Sequence, residues 1–96
     1  MEIKINGIGF SVNPVLVEFI ENKLSKLSKY YDGIVGVDVI LKLEKDDKLE
    51  NKLAEINIAI KGNDVFAKKN AKTFEEAIDE LYDVLKRQLI KVKEKA

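Results

Sequence analysis

The sequence predicts an α+β fold, a two-layer sandwich in which a four-stranded sheet carries both helices on one face. The elements follow in the order strand, helix, three strands, helix. Each strand alternates apolar and polar residues, as a sheet with one covered face requires. Each helix has a single apolar stripe, so helices and sheet can bury one core between them. At 96 residues the chain suffices for one such core, and we expect a single domain over residues 1–96.

The first strand and the first helix are marked by alternation followed by a helix start. Residues 2–6 alternate in polarity, which predicts a strand, and Gly7 predicts a bend after it. Asn13 is a favoured N-cap, and Pro14 suits the first helical position. The apolar stripe of this helix comprises Leu16, Ile20, Leu24, Leu27 and Tyr31.

Three strands follow the first helix. Residues 34–43 alternate most regularly, and their apolar face is expected to comprise Val35, Val37, Val39, Leu41 and Leu43. Residues 45–52 predict a charged loop. Residues 53–61 alternate again, and the Gly-Asn-Asp turn signal at 62–64 joins them to an extended run at 65–70 as a hairpin. A right-handed helical crossover makes the first two strands parallel, and we expect the strand order 1-2-3-4.

The last helix begins at Thr73, which forms a capping box with Glu76. Its apolar stripe comprises Phe74, Ile78, Leu81, Leu85, Leu89 and Val92. Acidic residues fill its first half, and its second half carries Lys86, Arg87, Lys91, Lys93 and Lys95. This arrangement has two interpretations. It complements the helix dipole, and it also gives a formally neutral chain a basic region that can bind a polyanion.

Composition excludes several kinds of site. The chain has no cysteine and no histidine, so it lacks disulfides, thiolate metal ligands and the usual general base. Asp46, Asp47 and Glu50 do not follow a calcium-loop pattern and are expected to be solvated charges. We therefore expect no catalytic residues, no metal, no cofactor and no small-molecule substrate. Without a signal peptide or an apolar run of about 20 residues, we expect a cytoplasmic protein without membrane contact.

Basic residues cluster in three places that contain few acids. The first helix has a lysine at every third position, at Lys23, Lys26 and Lys29, with Tyr30 and Tyr31 beside them. The other two groups are Lys68, Lys69 and Lys72, and the late cluster of the last helix. If the helices lie side by side, the first and last groups line one surface, and a tyrosine ring could stack on a base. The plainer alternative is that these lysines only form the solvated faces of two helices.

Three stretches of the chain also match a known pattern. The first helix ends in Lys26-Leu27-Ser28-Lys29-Tyr30-Tyr31-Asp32, residues 37–45 form a matching strand, and the last helix contains Arg87-Gln88-Leu89 followed by Lys91 and Lys93. In these stretches the sequence resembles the short ribosome hibernation-promoting factors, relatives of the ribosome-associated inhibitor A and sigma-54 modulation proteins. Unlike many members, it has no histidine near the end of the last helix, and we expect it to lack the second domain of the long form.

The resemblance implies the fold predicted above and a role in translation. Such proteins bind the small ribosomal subunit between its head and body, occupy the path of mRNA and tRNA, and keep ribosomes inactive under stress or in stationary phase. Basic side chains would contact ribosomal RNA phosphates. The candidate residues are Lys23, Lys26, Lys29, Lys86, Arg87, Lys91 and Lys93, with Lys68, Lys69 and Lys72 as a second tier. We expect a monomer.

A second hypothesis is a protein-interaction or homodimerisation module that uses the open face of the sheet. Ile40, an apolar residue on the otherwise polar side of the second strand, supports it. Salt distinguishes the two hypotheses, because RNA binding weakens steeply with ionic strength and an apolar interface does not.

Overall fold

One sheet of four strands carries two helices on the same face. The computed structural model describes residues 1–44 and 49–95. Its strands are β1 (Glu2–Ile8), β2 (Ile34–Leu43), β3 (Lys52–Ile60) and β4 (Val65–Ala71). Its helices are α1 (Pro14–Ser25), a short 3₁₀ helix (Lys26–Lys29) and α2 (Phe74–Lys95). None of these helices has the length and apolar character that crossing a lipid bilayer requires.

The strands lie in the order β1-β2-β3-β4. β1 runs parallel to β2, with Ile5 opposite Val39. β2 and β3 are antiparallel, with Val39 opposite Ile56, and β4 is antiparallel to β3. The predicted fold class, strand order and parallel first pair are therefore confirmed.

The core lies between the sheet and the helices. The apolar sides of the strands meet the stripes of both helices there, and Leu24 of α1, Ile56 of β3 and Leu85 of α2 are completely buried. Burying side chains of this size stabilises the fold by roughly 1.5–3 kcal/mol each relative to leaving them exposed. The two predicted helix starts also form, since Asn13 Oδ1 accepts from the Val15 amide at 2.8 Å and Thr73 Oγ1 from the Glu76 amide at 3.1 Å.

A β-bulge shortens the core face of β2. Ile34 pairs with Ile60, yet Gly36 pairs with Ala59, so Val35 is an extra residue with no partner on β3. A bulge displaces the side chain of the extra residue from the alternation of its strand. Val35 is 71% exposed, and Leu43, the last residue of β2, is 48% exposed. The prediction that Val35 shares the apolar face of Val37 is therefore wrong. Leu43 keeps the register of Leu41 but is exposed at the end of the strand.

The chain turns after β1 at Gly9 rather than at Gly7. Gly9 has φ +81°, a conformation that only glycine adopts without strain. Gly7 is needed for a different reason, because a Cβ there would lie 2.7 Å from the Phe10 carbonyl oxygen. The turn brings the Phe10 ring onto Phe74 at the start of α2, with 5.6 Å between the ring centroids.

The first helix changes geometry before it ends. The α-helix stops at Ser25, and the chain continues as the 3₁₀ helix, where Leu27 is still buried. Side chains three residues apart eclipse one another in 3₁₀ geometry, so Lys26 and Lys29 lie on the same side.

The charged loop predicted at residues 45–52 is described in part. Residues 45–48, which include Asp46 and Asp47, lie outside the described residues. The Glu44 amide donates to the Asn51 carbonyl oxygen at 2.8 Å, and β3 then begins at Lys52. The predicted hairpin between β3 and β4 forms, with Gly62 at φ +102° in its turn.

Candidate nucleic-acid interface

The two helices lie side by side and run in the same direction. Lys23 of α1 forms an ion pair with Asp79 of α2, with Nζ 3.2 Å from Oδ1. Seven residues after Lys23, the Tyr30 ring lies under Lys86, with Nζ 4.9 Å from the ring centroid. Lys23 precedes Tyr30, and their partners Asp79 and Lys86 follow one another in the same order. The N-terminal halves of the two helices therefore lie at one end of the helical layer, and the C-terminal halves lie at the other.

This parallel arrangement sorts charge along the helical layer. In α1, Glu18 and Glu21 precede the three lysines that run from Lys23 to Lys29. In α2, five acids between Glu75 and Asp83 precede the basic residues. The acidic halves therefore share one end and the basic halves the other, although the chain has no net charge.

The basic residues of α2 are divided between two sides of that helix. Lys86 contacts Tyr30, and Lys93 lies about two turns further on, on the same side. Arg87 instead lines a groove between α2 and β4, and Lys91 follows it after one turn. We expected the lysines of the first helix and the late basic cluster of α2 to line one surface. In the structure the basic residues of α2 lie on two surfaces instead.

We define these surfaces by their residues. The seam surface begins where α1 and the 3₁₀ helix meet α2 and continues along the same side of α2 for about two turns beyond Lys86. It comprises Lys23, Lys26, Lys29, Lys86 and Lys93. The β4-side surface comprises Lys68, Lys69, Arg87 and Lys91. Lys72 belongs to neither, because it does not line the groove and lies between β4 and the start of α2. Phe74, the first residue of α2, is already roughly 26 Å from Lys91 along the helix axis, at a rise of about 1.5 Å per residue.

The β4-side surface has mixed charge. Its groove has a volume of about 300 Å³ and is lined by Lys68, Lys69 and Arg87 together with Glu80 and Asp83. Lys68 and Lys69 lie on opposite faces of β4. Lys68 pairs with Glu55, and Lys69 pairs with the buried Ala54. Two carboxylates beside three cations weaken the positive potential of this groove.

The seam surface carries positive charge with less compensation. Among residues 1–44 and 49–95, the only ion pairs within 4.0 Å are Lys23 with Asp79 and Lys4 with Glu2. Lys26, Lys29, Lys86 and Lys93 therefore have no carboxylate of the described chain at that distance. Arg87 and Lys91 have no such partner in the described part of the chain either, but acidic residues line the groove beside Arg87. The four seam cations are therefore available to an external anion.

Two tyrosines lie within the seam. Lys23 Nζ is 5.0 Å from the ring centroid of Tyr82, in the same kind of contact as Lys86 makes with Tyr30. Interaction with the Tyr82 hydroxyl, followed by the positive charge of Lys86, lowers the pKa of Tyr30 from its ordinary value. Burial raises the pKa of Tyr82. Tyr30 and Tyr31 are both partly buried against the core, and Tyr30 also presents a ring face to the Lys86 ammonium group.

Sequence reasoning did not identify Asp79 and Tyr82 as partners of Lys23. They are separated from it by more than fifty residues, so no local spacing connects them. The spacing within α2 carried a partial signal, because Asp79, Tyr82 and Lys86 are three and four residues apart and share one side of the helix. That this side faces α1 follows only from the packed structure.

Comparison with known proteins places the chain in a family. Residues 3–96 match the family model described as "Sigma 54 modulation protein / S30EA ribosomal protein". The chain is similar to proteins named ribosome hibernation promoting factor from Klebsiella oxytoca (34% identity, covering 99% of this chain and 96% of the relative) and Azotobacter vinelandii (38%, 99% and 85%). A relative of the same name from Escherichia coli K12 is 37% identical, with 99% and 96% covered.

Solved structures agree with this assignment. A ribosomal subunit interface protein from Coxiella burnetii has a TM-score of 0.81 at 27% identity, covering 97% of this chain and 98% of the other. The N-terminal domain of Thermus thermophilus Protein Y has a TM-score of 0.77 at 26% identity, with 95% and 94% covered. The chain therefore belongs to the sigma 54 modulation protein / S30EA ribosomal protein family.

Proposed function

We propose that this protein is a ribosome hibernation factor that binds the small ribosomal subunit and sterically blocks its mRNA and tRNA channel. It would thereby inhibit translation under stress or in stationary phase. The names of the relatives support hibernation as the role, and the neighbour titled a ribosomal subunit interface protein supports a ribosomal partner. The observation that carries the proposal is the basic end of the helical layer, where α1, the 3₁₀ helix and α2 bring their lysines together.

The basic end is suited to ribosomal RNA because the RNA backbone presents phosphate groups, which lysine and arginine side chains can neutralise. Each lysine or arginine that neutralises a phosphate releases condensed counterions, and this release supplies sequence-independent affinity. The seam surface offers Lys26, Lys29, Lys86 and Lys93 for such contacts. Arg87 and Lys91 add two more cations on the β4 side of the same helical end.

The acidic end of the helical layer gives the binding a direction. Phosphate-lined walls repel Glu75, Glu76 and Glu80 and attract the opposite end of α2. A protein of zero net charge would then bind RNA by one end rather than over its whole surface. Inhibition needs only a folded body in the channel, so the proposal requires no catalytic group. It does require a cytoplasmic protein, and it is compatible with a monomer.

Sedimentation with purified small subunits tests the proposal. We expect the wild-type protein to co-migrate with small subunits in sucrose gradients at low salt and to dissociate at high salt. Replacing Lys86, Arg87 and Lys91 by Glu should abolish co-migration and leave the fold intact. The matched control replaces Lys4, Lys42 and Lys61, which are exposed and lie outside the helices, by Glu. The control makes the same change of net charge and should still co-migrate.

Two results would contradict the proposal. Undiminished co-migration of the helix variant would remove the basic end from the interface. Equal loss in both variants would mean that binding depends on total charge and not on this surface.

The open face of the sheet supports the alternative of a protein-interaction or homodimerisation module. Ile40 is 37% exposed and Phe66 is 50% exposed on that face, and Ile8 is also exposed at its edge. Such a module would retain its partner at high salt, because apolar burial does not weaken with ionic strength as phosphate contacts do.

A further inference from the structure

Two lysines at the helix seam are held by tyrosine rings but differ in their charge balance. Lys23 lies over the Tyr82 ring and also forms the ion pair with Asp79. Lys86 lies over the Tyr30 ring at nearly the same distance, and no carboxylate of the described residues is within 4.0 Å of it. The two similar contacts therefore leave one lysine compensated and the other with its full charge.

We propose that Tyr30 is a positioning residue that holds the ammonium group of Lys86, beside Lys29, for contact with an RNA phosphate, whereas Lys23 holds the two helices together and contributes little to RNA binding. This inference rests on the proposed function. It goes further by assigning different roles to residues that the sequence treats alike.

The ring of Tyr30 restricts a side chain that is otherwise flexible. A lysine has four rotatable methylene units, and binding a phosphate requires that this freedom be lost. The negative face of an aromatic ring attracts an ammonium group on one side and leaves its other N–H donors available. Lys86 is also half-buried, so its stem packs on protein while its charged end lies at the surface. Part of the ordering is thus complete before RNA arrives.

Lys29 adds a second cation to the same place. It follows Lys26 on one side of the 3₁₀ helix and directly precedes Tyr30. The pKa of Tyr30 is lowered by the Tyr82 hydroxyl, then by the positive charge of Lys86, and least by that of Lys29. A phosphate at this position would meet two ammonium groups.

Lys23 is in a poorer position to bind an anion. Asp79 already neutralises it at 3.2 Å, and an approaching phosphate would be repelled by that carboxylate. Its side chain is 30% exposed, less than that of Asp79 at 53%. Its contacts with Asp79 and Tyr82 instead join α1 to α2.

The test uses the full chain, purified small ribosomal subunits and affinities measured over a series of salt concentrations. The variants are Lys86→Gln, Lys23→Gln, Tyr30→Phe, Tyr30→Leu and the double variant Tyr30→Leu with Lys86→Gln. Lys86→Gln should weaken binding and make the slope of log K against log salt shallower by about 0.7–0.9, the loss of one phosphate contact. Tyr30→Phe keeps the ring and should bind within about 2-fold of wild type.

Tyr30→Leu removes the ring and should weaken binding by about 2- to 5-fold while leaving the salt slope nearly unchanged, because Lys86 still meets its phosphate. The double variant should bind like Lys86→Gln alone, since positioning matters only while the lysine is present. Lys23→Gln should leave both affinity and salt slope nearly unchanged, and should lower the urea midpoint of unfolding. If Tyr30→Leu fails to fold, Tyr30→Met replaces it as a longer apolar side chain without a ring face.

Three results would overturn the inference alone. Tyr30→Leu, or Tyr30→Met in its place, would bind with wild-type affinity, or the losses of affinity in Tyr30→Leu and Lys86→Gln would multiply in the double variant. The third is that Lys23→Gln would lose as much affinity as Lys86→Gln. Failure of the wild-type protein to bind small subunits at any salt concentration would instead overturn the proposed function, and this inference with it.

Discussion

The affinity for small ribosomal subunits should fall as the salt concentration rises. The slope of log K against log salt is proportional to the number of cations that contact phosphates. The structure provides four such cations on the seam surface without a described carboxylate partner, namely Lys26, Lys29, Lys86 and Lys93. Four contacts give a slope of log K against log salt of about −2.8 to −3.6. Raising monovalent salt from about 50 to about 200 mM should then weaken binding roughly 50- to 150-fold.

The slope also reports which surfaces take part. If Arg87 and Lys91 bind phosphates as well, six contacts give a slope of about −4.2 to −5.4. Because Glu80 and Asp83 lie beside Arg87, we expect a value closer to that for the seam surface alone. Salt dependence thus distinguishes one surface from two without any substitution.

Fluorescence anisotropy can measure this slope. The chain has no cysteine, so a single cysteine introduced at Lys61, after β3 and away from both helices, takes one dye. Titrations with small subunits are made at constant Mg²⁺ and at several concentrations of monovalent salt. A slope shallower than about −1 would mean that fewer than two phosphates are neutralised, and the seam surface would then not be the RNA interface.

Two further predictions concern stability and the open face of the sheet. Val37→Ala removes two methyl groups from a fully buried position and should lower the free energy of unfolding by about 2 kcal/mol. Val35→Ala on the bulge should change it by less than about 0.5 kcal/mol. Urea denaturation measures both values. Equal effects would place the bulge elsewhere in β2. Ile40→Thr combined with Phe66→Thr should leave the affinity for small subunits within about 2-fold of wild type, since both residues lie on the face opposite the helices. A loss of about tenfold in that variant would favour the open sheet face as the interface.

Most of the fold could be predicted because its signals are local. The alternation in β1 and β3, the Asn13 and Thr73 caps and the stripe of α2 all formed as predicted. The bulge at Val35 could not be predicted, because Val35, Val37 and Val39 alternate with other residues as they would in an unbroken strand. Its detection depends on the pairing with Ile60 and Ala59, which is not local.

The candidate site could be predicted as a list of cations but not as surfaces. Helical spacing alone groups Lys86 with Lys93 and Arg87 with Lys91. Which group faces α1 depends on how α2 rests on β3 and β4, and that is a property of the whole core. The pairing of Lys23 with Asp79 depends on the parallel contact between the two helices, for which the sequence contains no local signal.

Competition with mRNA and tRNA tests whether the protein occupies their channel. Small subunits are first saturated with mRNA and initiator tRNA, and binding of the labelled protein is then measured; a second experiment reverses the order of addition. Steric blocking requires mutual exclusion in both orders, and the charge-reversal variant of Lys86, Arg87 and Lys91 should displace neither RNA. Simultaneous binding of the protein, mRNA and tRNA to one subunit would contradict it.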